Sequence, residues 1–127
     1  MSATLEEWLN AAEYIMKGGN SNVILCERGI RTFSSHARNT LDLNILPKLR
    51  ELTHLPIVVD PSHGVGKRNY IRPMSRAAVA CGAHGLIIET HTNPNLALSD
   101  GEQTVSVETF QNIVDDAKQL SSLENIF

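Results

Sequence analysis

The sequence has few cysteines, no long hydrophobic run and no large excess of charge of either sign, and each shortage excludes something. Its two cysteines, Cys26 and Cys81, lie in apolar context and form neither a CxxC pair nor a Cys/His cluster. That excludes a disulfide framework and a structural zinc site, and it fits a reducing cytoplasm. No apolar stretch reaches the length of a signal core or a membrane span, and Glu6 and Glu7 occupy the first turn of the chain, so a soluble protein with no membrane partner is expected. The 11 basic and 14 acidic side chains leave it mildly acidic, and the basic ones are scattered apart from Arg28 with Arg31 and Lys67 with Arg68. Nucleic acid is therefore not an expected partner, whereas small anions are. None of the lysines (Lys17, Lys48, Lys67, Lys118) falls inside an apolar strand where an amine could be desolvated for Schiff-base chemistry. A Walker loop and a GxGxxG turn are also missing, so nucleotide cofactors have no visible seat. At 127 residues there is room for one domain at most.

What is present is organised around Pro56-Ile57-Val58-Val59-Asp60-Pro61-Ser62-His63-Gly64. The apolar run predicts a strand buried on both faces, as in a parallel α/β sheet, and chemistry in such folds collects at the carboxyl ends of strands. Asp60 and His63 stand at that end. Upstream, Thr4 and Glu7 make a capping box for a helix whose stripe is Leu5, Trp8, Leu9, Ala12, Ile15 and Met16, ended by Gly18-Gly19. Val23 to Cys26 reads as a strand running into Glu27-Arg28-Gly29-Ile30-Arg31-Thr32, and residues 33–42 read as loop. Asn44 is placed to cap a helix with Pro47 in its first turn and Ile45, Leu46, Leu49 and Leu52 on its stripe. After a loop from Gly64 to Tyr70, Pro73 is expected to start a helix that Gly82 stops. Gly85 to Glu89 is a third strand, Thr90 to Thr104 a loop carrying Asp100, and Ser106 caps a last helix with Val107, Phe110, Ile113, Val114, Ala117 and Leu120 on one face.

The order is α-βα-βα-βα, with strand starts roughly 30 residues apart and no sequence repeat, which suits βα units joined by right-handed crossovers. Three parallel strands leave an edge open and an inner face without a partner layer. The fold expected is thus α/β: the closing three βα units of a (β/α)8 TIM barrel, preceded by a helix, with residues 1–127 forming the carboxyl-terminal portion of one incomplete barrel domain.

His63, Glu89 and Asp100 carry the sharpest chemical hypothesis. An imidazole and two carboxylates suit manganese, iron, cobalt or zinc and leave positions for water or substrate. The competing reading has His63 orienting its loop, Glu89 paired with a neighbouring cation and Asp100 turning the chain with Gly101. Asp60 either fixes the tautomer of His63 or is a buried partner for an arginine. Arg28, at a strand end, can grip a phosphate or carboxylate with two parallel hydrogen bonds, or pair with Glu27 or Glu89. Arg31, Lys67 and Arg68 are expected on the rim, Cys26 and Cys81 in the core. His36, His54, His84 and His91 are expected to be structural or exposed, with His91 near enough to Glu89 to line the site.

Several motifs go further. Leu25-Cys26-Glu27-Arg28-Gly29-Ile30-Arg31-Thr32-Phe33, Arg38-Asn39-Thr40-Leu41-Asp42, His54-Leu55-Pro56, Val59-Asp60-Pro61-Ser62-His63, Ala83-His84-Gly85 and Leu98-Ser99-Asp100-Gly101 together resemble the carboxyl-terminal part of 3-deoxy-D-arabino-heptulosonate-7-phosphate (DAHP) synthase of the short microbial type. The resemblance implies a metal-dependent (β/α)8 barrel that condenses phosphoenolpyruvate with erythrose 4-phosphate and water and releases phosphate, the first step toward chorismate and the aromatic amino acids. It implies His63, Glu89 and Asp100 as metal ligands, His63 thereby catalytic, Arg28 as the arginine that holds phosphoenolpyruvate, and a homo-oligomer. The family's cysteine ligand and Lys-Pro-Arg-Thr loop belong to earlier strands, and Gly29-Ile30-Arg31-Thr32 is not that loop. The related 3-deoxy-D-manno-octulosonate-8-phosphate synthase is the alternative, although it usually has Asp-Ala-Thr-His where this chain has Asp60-Pro61-Ser62-His63. A non-catalytic truncated remnant that self-associates is the alternative of another class.

Overall fold

In the computed structural model, which describes residues 2–124, α1 (Leu5–Lys17) starts where the capping box puts it. The Glu7 amide donates to the Thr4 hydroxyl at 3.2 Å, and the Glu7 carboxylate accepts the Thr4 amide at 2.7 Å. Such a cap contributes about 1 kcal/mol. Ala12 is buried, and Leu5, Trp8, Leu9 and Met16 pack against the core.

Strands β1 (Leu25–Glu27), β2 (Ile57–Val59) and β3 (Gly85–Leu86) form one parallel sheet in chain order, with Leu25 opposite Ile57, Glu27 opposite Val59 and Val59 opposite Leu86. Helix α2 (Ile45–Leu52) joins β1 to β2, α3 (Pro61–Val65) and α4 (Arg68–Ala80) join β2 to β3, and α5 (Val107–Glu124) follows a short 3-10 turn at Pro94–Leu96. Leu46, Leu49, Ile57, Val59, Ile71, Ala78 and Val105 are fully buried between sheet and helices. The α/β class and the adjacency of three parallel strands are as the sequence predicts. No helix among the described residues is long and apolar enough to cross a membrane.

Five details differ from the sequence expectation. β1 begins at Leu25, not Val23, because its partner begins only at Ile57; the Leu25 amide donates to the Pro56 carbonyl at 2.9 Å, and Ile24 is left 62% exposed. β3 stops short of Glu89 because β2 turns away into α3: after Ile87 donates to the Val59 carbonyl, the amide of Glu89 finds the Ser62 hydroxyl instead of a strand. The strands are not buried on both faces. Leu25, Glu27, Ile57 and Val59 are buried, while Cys26 and Val58 on the opposite face are only half-buried, since no layer among the described residues covers them. Asn44 does not cap α2; it has helical backbone angles and makes no capping hydrogen bond. Finally, Gly64 to Tyr70 is not a loop. It contains the last two residues of α3, Gly64 and Val65, and the start of α4, which begins five residues before Pro73. Pro73 removes one amide donor near the start of α4, and its exposed position leaves water to serve the orphaned carbonyl.

Candidate metal centre

The site is built at the point where β2 ends. The Asp60 side chain caps α3, accepting the His63 amide at 3.0 Å, and Pro61 stands at the first helical position where a missing donor does no harm. One tight turn therefore brings the His63 ring back over its own cap, with Nδ1 2.7 Å from Asp60 Oδ2. Asp60 is only 3% exposed, so its charge needs partners. It has two: His63, and Arg28 at the end of β1, whose Nε lies 3.3 Å from the same oxygen. The two roles weighed for Asp60 are thus held together.

A carboxylate at Nδ1 fixes the proton there and leaves the Nε2 lone pair facing away from α3. That nitrogen faces Glu89 Oε1 at 3.2 Å and Asp100 Oδ2 at 4.0 Å. One ligand atom from each of His63, Glu89 and Asp100 lies within 4.8 Å of the others, and all three residues are half-buried. Atoms bound to one ion at about 2.0–2.2 Å stand about 3–4 Å apart, so this spacing suits a common cation. A lone pair facing two carboxylates is repulsive unless a cation or a proton lies between them. The donor set fits a divalent metal.

Each of these three residues is held from behind. Glu89 is fixed by its amide on the fully buried Ser62 hydroxyl at 3.0 Å, and its Oε2 accepts from Gln103 Nε2 at 3.1 Å. Asp100 has a positive φ of 52°, and its carbonyl accepts the amides of Gln103 and Thr104, both at 3.1 Å. It does turn the chain as one reading expected, and its carboxylate also faces Arg38 Nη1 at 3.5 Å. Arg68 is not a solvated rim residue: it pins the Asp100 loop, donating to the carbonyls of Thr104 and Gly101 at 2.7 Å and to Asn95 Oδ1 at 3.2 Å.

The β1 end is held by a buried carboxylate. Glu27 Oε1 accepts the amides of Gly29 at 2.8 Å and Asp42 at 3.2 Å, folding the 28–42 segment back on itself. Burial pushes the Glu27 pKa up, against the two amides, which pull it down. Gly29 has φ of 92° and closes on α3; a Cβ there would sit 2.9 Å from Asn39 Cβ and 3.0 Å from Gly64 Cα. Asn39 in turn donates to the His63 carbonyl at 3.2 Å. Arg28, half-exposed, pairs with Asp60 rather than with Glu27 or Glu89.

The other candidates fall elsewhere. Cys26 is half-buried on the open face of the sheet, not in the core, and burial followed by the nearby charge of Asp60 raises its thiol pKa and keeps it protonated. Cys81, also half-buried, packs against the core. His84 Nδ1 accepts the Ile57 amide at 3.1 Å, while His91 is exposed and bonds to Asn93. Lys67 bonds the His36 carbonyl. Ser62, Gln103 and Arg38, which bind or border the three candidate ligands, escape sequence reasoning because an isolated polar residue carries no period to mark it, and Arg68 is marked by the sequence only as a rim residue.

The sequence pattern described as the DAHP synthetase I family matches residues 1–123. The chain belongs to that family. Among curated relatives, phospho-2-dehydro-3-deoxyheptonate aldolase of Thermotoga maritima is 53% identical over 118 residues, covering 93% of this chain and 35% of the relative. A 2-dehydro-3-deoxyphosphooctonate aldolase of Rhodopseudomonas palustris is 34% identical, over 90% of this chain and 43% of the relative. The crystal structure of the Thermotoga maritima DAHP synthase superposes with a TM-score of 0.93 at 52% identity, covering 95% of this chain and 36% of that one. A truncated form of that enzyme gives 0.92 over 94% and 46%. The chain thus spans between about a third and a half of the length of these relatives, so its family membership covers nearly all of its own residues and a minor part of theirs.

Proposed function

We propose that this chain forms the closing three βα units of a (β/α)8 barrel, the carboxyl-terminal portion of one catalytic domain, and serves the condensation of phosphoenolpyruvate with erythrose 4-phosphate and water to 3-deoxy-D-arabino-heptulosonate 7-phosphate and phosphate. The observation that carries the reading is the convergence of His63, Glu89 and Asp100 beyond the carboxyl ends of parallel strands in a chain about half identical to a DAHP synthase. His63 Nε2 and one oxygen each from Glu89 and Asp100 hold a divalent cation, drawn from manganese, iron, cobalt and zinc. When bound, that ion supplies a Lewis acid for the aldehyde of the acceptor sugar.

The protein's own groups divide the remaining work. Asp60 keeps the proton on His63 Nδ1 and so keeps Nε2 available. Arg28, tethered through Nε to Asp60, offers its outer edge to an anionic group of phosphoenolpyruvate. Loss of phosphate after addition of water at the phosphate-bearing carbon completes the reaction without a Schiff base. We place the enzyme in the cytoplasm, where Cys26 and Cys81 stay reduced, and as a homo-oligomer.

The octulosonate alternative is less well supported, since octulosonate relatives such as those of Bartonella tribocorum and Nitrobacter hamburgensis are 31% and 37% identical against 53% for the heptulosonate relative. Any longer protein containing this chain, reconstituted with Mn2+ and offered both acceptors, is expected to turn over erythrose 4-phosphate in preference to arabinose 5-phosphate. The reverse preference, measured as kcat/KM, overturns the assignment.

A further inference from the structure

Gln103 is almost fully buried, 3% exposed, in a loop that is otherwise mostly open to solvent. Its side chain spans two charged groups of the site: Nε2 donates to Glu89 Oε2 at 3.1 Å, and Oε1 accepts from Arg38 Nη1 at 3.4 Å. Only this amide orientation satisfies both neighbours, because a carboxylate accepts and a guanidinium donates. Its backbone amide is also committed, to the Asp100 carbonyl. Gln103 therefore touches the loop turn that presents one candidate ligand and one oxygen of another.

We propose that Gln103 is a positioning residue for the metal, holding Glu89 as a ligand through one oxygen only. With Oε2 occupied by the Gln103 amide, Oε1 is the atom left facing His63 Nε2, 3.2 Å away. One-oxygen ligation keeps Glu89 from swinging to span the ion with both oxygens, and so keeps a coordination position open for substrate. An unrestrained carboxylate swaps between one- and two-oxygen modes at little cost, whereas loss of an outer partner of this kind typically weakens metal binding 10- to 100-fold.

The inference rests on the metal reading above, and the test separates the two. The 127-residue chain, Gln103→Met, Glu89→Ala and the double variant are titrated with Co2+ and followed by its visible absorption. Gln103→Met is expected to bind Co2+ roughly 10- to 100-fold more weakly and with an altered spectrum. In the Glu89→Ala background the same change is expected to add less than about threefold, because Gln103 acts through Glu89. Equal losses in both backgrounds mean a general structural role and overturn the inference, leaving the metal site in place. No Co2+ binding by the parent chain overturns both. Should Gln103→Met fail to fold, the unsubstituted chain still decides the matter: Zn2+ titration is expected to shift the Gln103 side-chain amide resonances in 15N NMR while keeping their protons protected from exchange. Resonances that stay still, or protons that become unprotected, overturn the proposal.

Discussion

Asp60 is the side chain on which three demands meet: it caps α3, fixes the His63 ring and neutralises Arg28. Glu27 does comparable work at the end of β1 with a single oxygen, folding the Arg28 loop through two backbone amides. Its raised pKa has a definite sign. The folded state holds the Glu27 proton more tightly than the unfolded chain, so this group's contribution falls as pH rises from the ordinary glutamate value, about 4.3, through the raised folded value. Glu27→Gln keeps the accepting oxygen and removes the buried charge. The variant is expected to be at least as stable as the parent at pH 7 and to lose that advantage near pH 4, as read from urea midpoints across the range. A gap between the two proteins that does not change with pH would rule this out. Single residues were unevenly legible in the sequence. Glu89 follows directly on an apolar run and His63 comes four residues after the end of one, so both can be placed near strand ends. Asp100 comes from a long loop, and its approach depends on Arg68 and Gln103, whose contacts across 27 or more residues and 14 residues leave no local trace.

Elements with a strong local cause are those the sequence predicts well. The Thr4/Glu7 box, the Ile57–Val59 strand and the Ser106 cap, whose hydroxyl accepts the Thr109 amide at 3.1 Å, all appear where expected. The stretch between β2 and α4 is different. α3 has five residues, too few to display a helical period, and its cause is a cap that begins at what reads as a strand end. Pro73 points to a helix start by general preference, yet α4 begins at Arg68, where the amide bonds the Glu102 carbonyl and the side chain ties down the Asp100 loop. The helix start and the loop are thus one unit. Arg68→Ala removes three side-chain hydrogen bonds at once, two of them to carbonyls, each worth about 1.5–3 kcal/mol when charged and less where exposed. Hydrogen exchange at the amides of Gln103, Thr104 and Val105 is expected to quicken tenfold or more while α1 amides keep their rates. Uniform acceleration throughout would instead mean global destabilisation and no private link between Arg68 and the loop.

At the scale of the molecule, the sheet is finished on one face and open on the other. Leu25, Ile57 and Val59 are sealed by helices, whereas Cys26 and Val58 are half-buried and the outer strands β1 and β3 each pair with β2 alone among the described strands. Ile24 at 62% and Ile87 at 46% exposure extend that open surface along both edges. Unpaired strand edges beside apolar side chains recruit further strands. A barrel would close both edges and fill the inner face, which is consistent with a chain that spans roughly a third to a half of its relatives. By itself the 127-residue chain is expected to self-associate and to lack turnover, since it brings three proposed metal ligands and one proposed substrate arginine to a site whose other anion-binding groups the family resemblance places on earlier strands. Sedimentation velocity at rising concentration is the measurement, with assay of phosphoenolpyruvate and erythrose 4-phosphate on the same sample. A monomer that turns over both substrates would mean that residues within this chain replace the missing ones, with Arg38 and Lys67, which border Asp100 on one cavity wall, the first to be substituted.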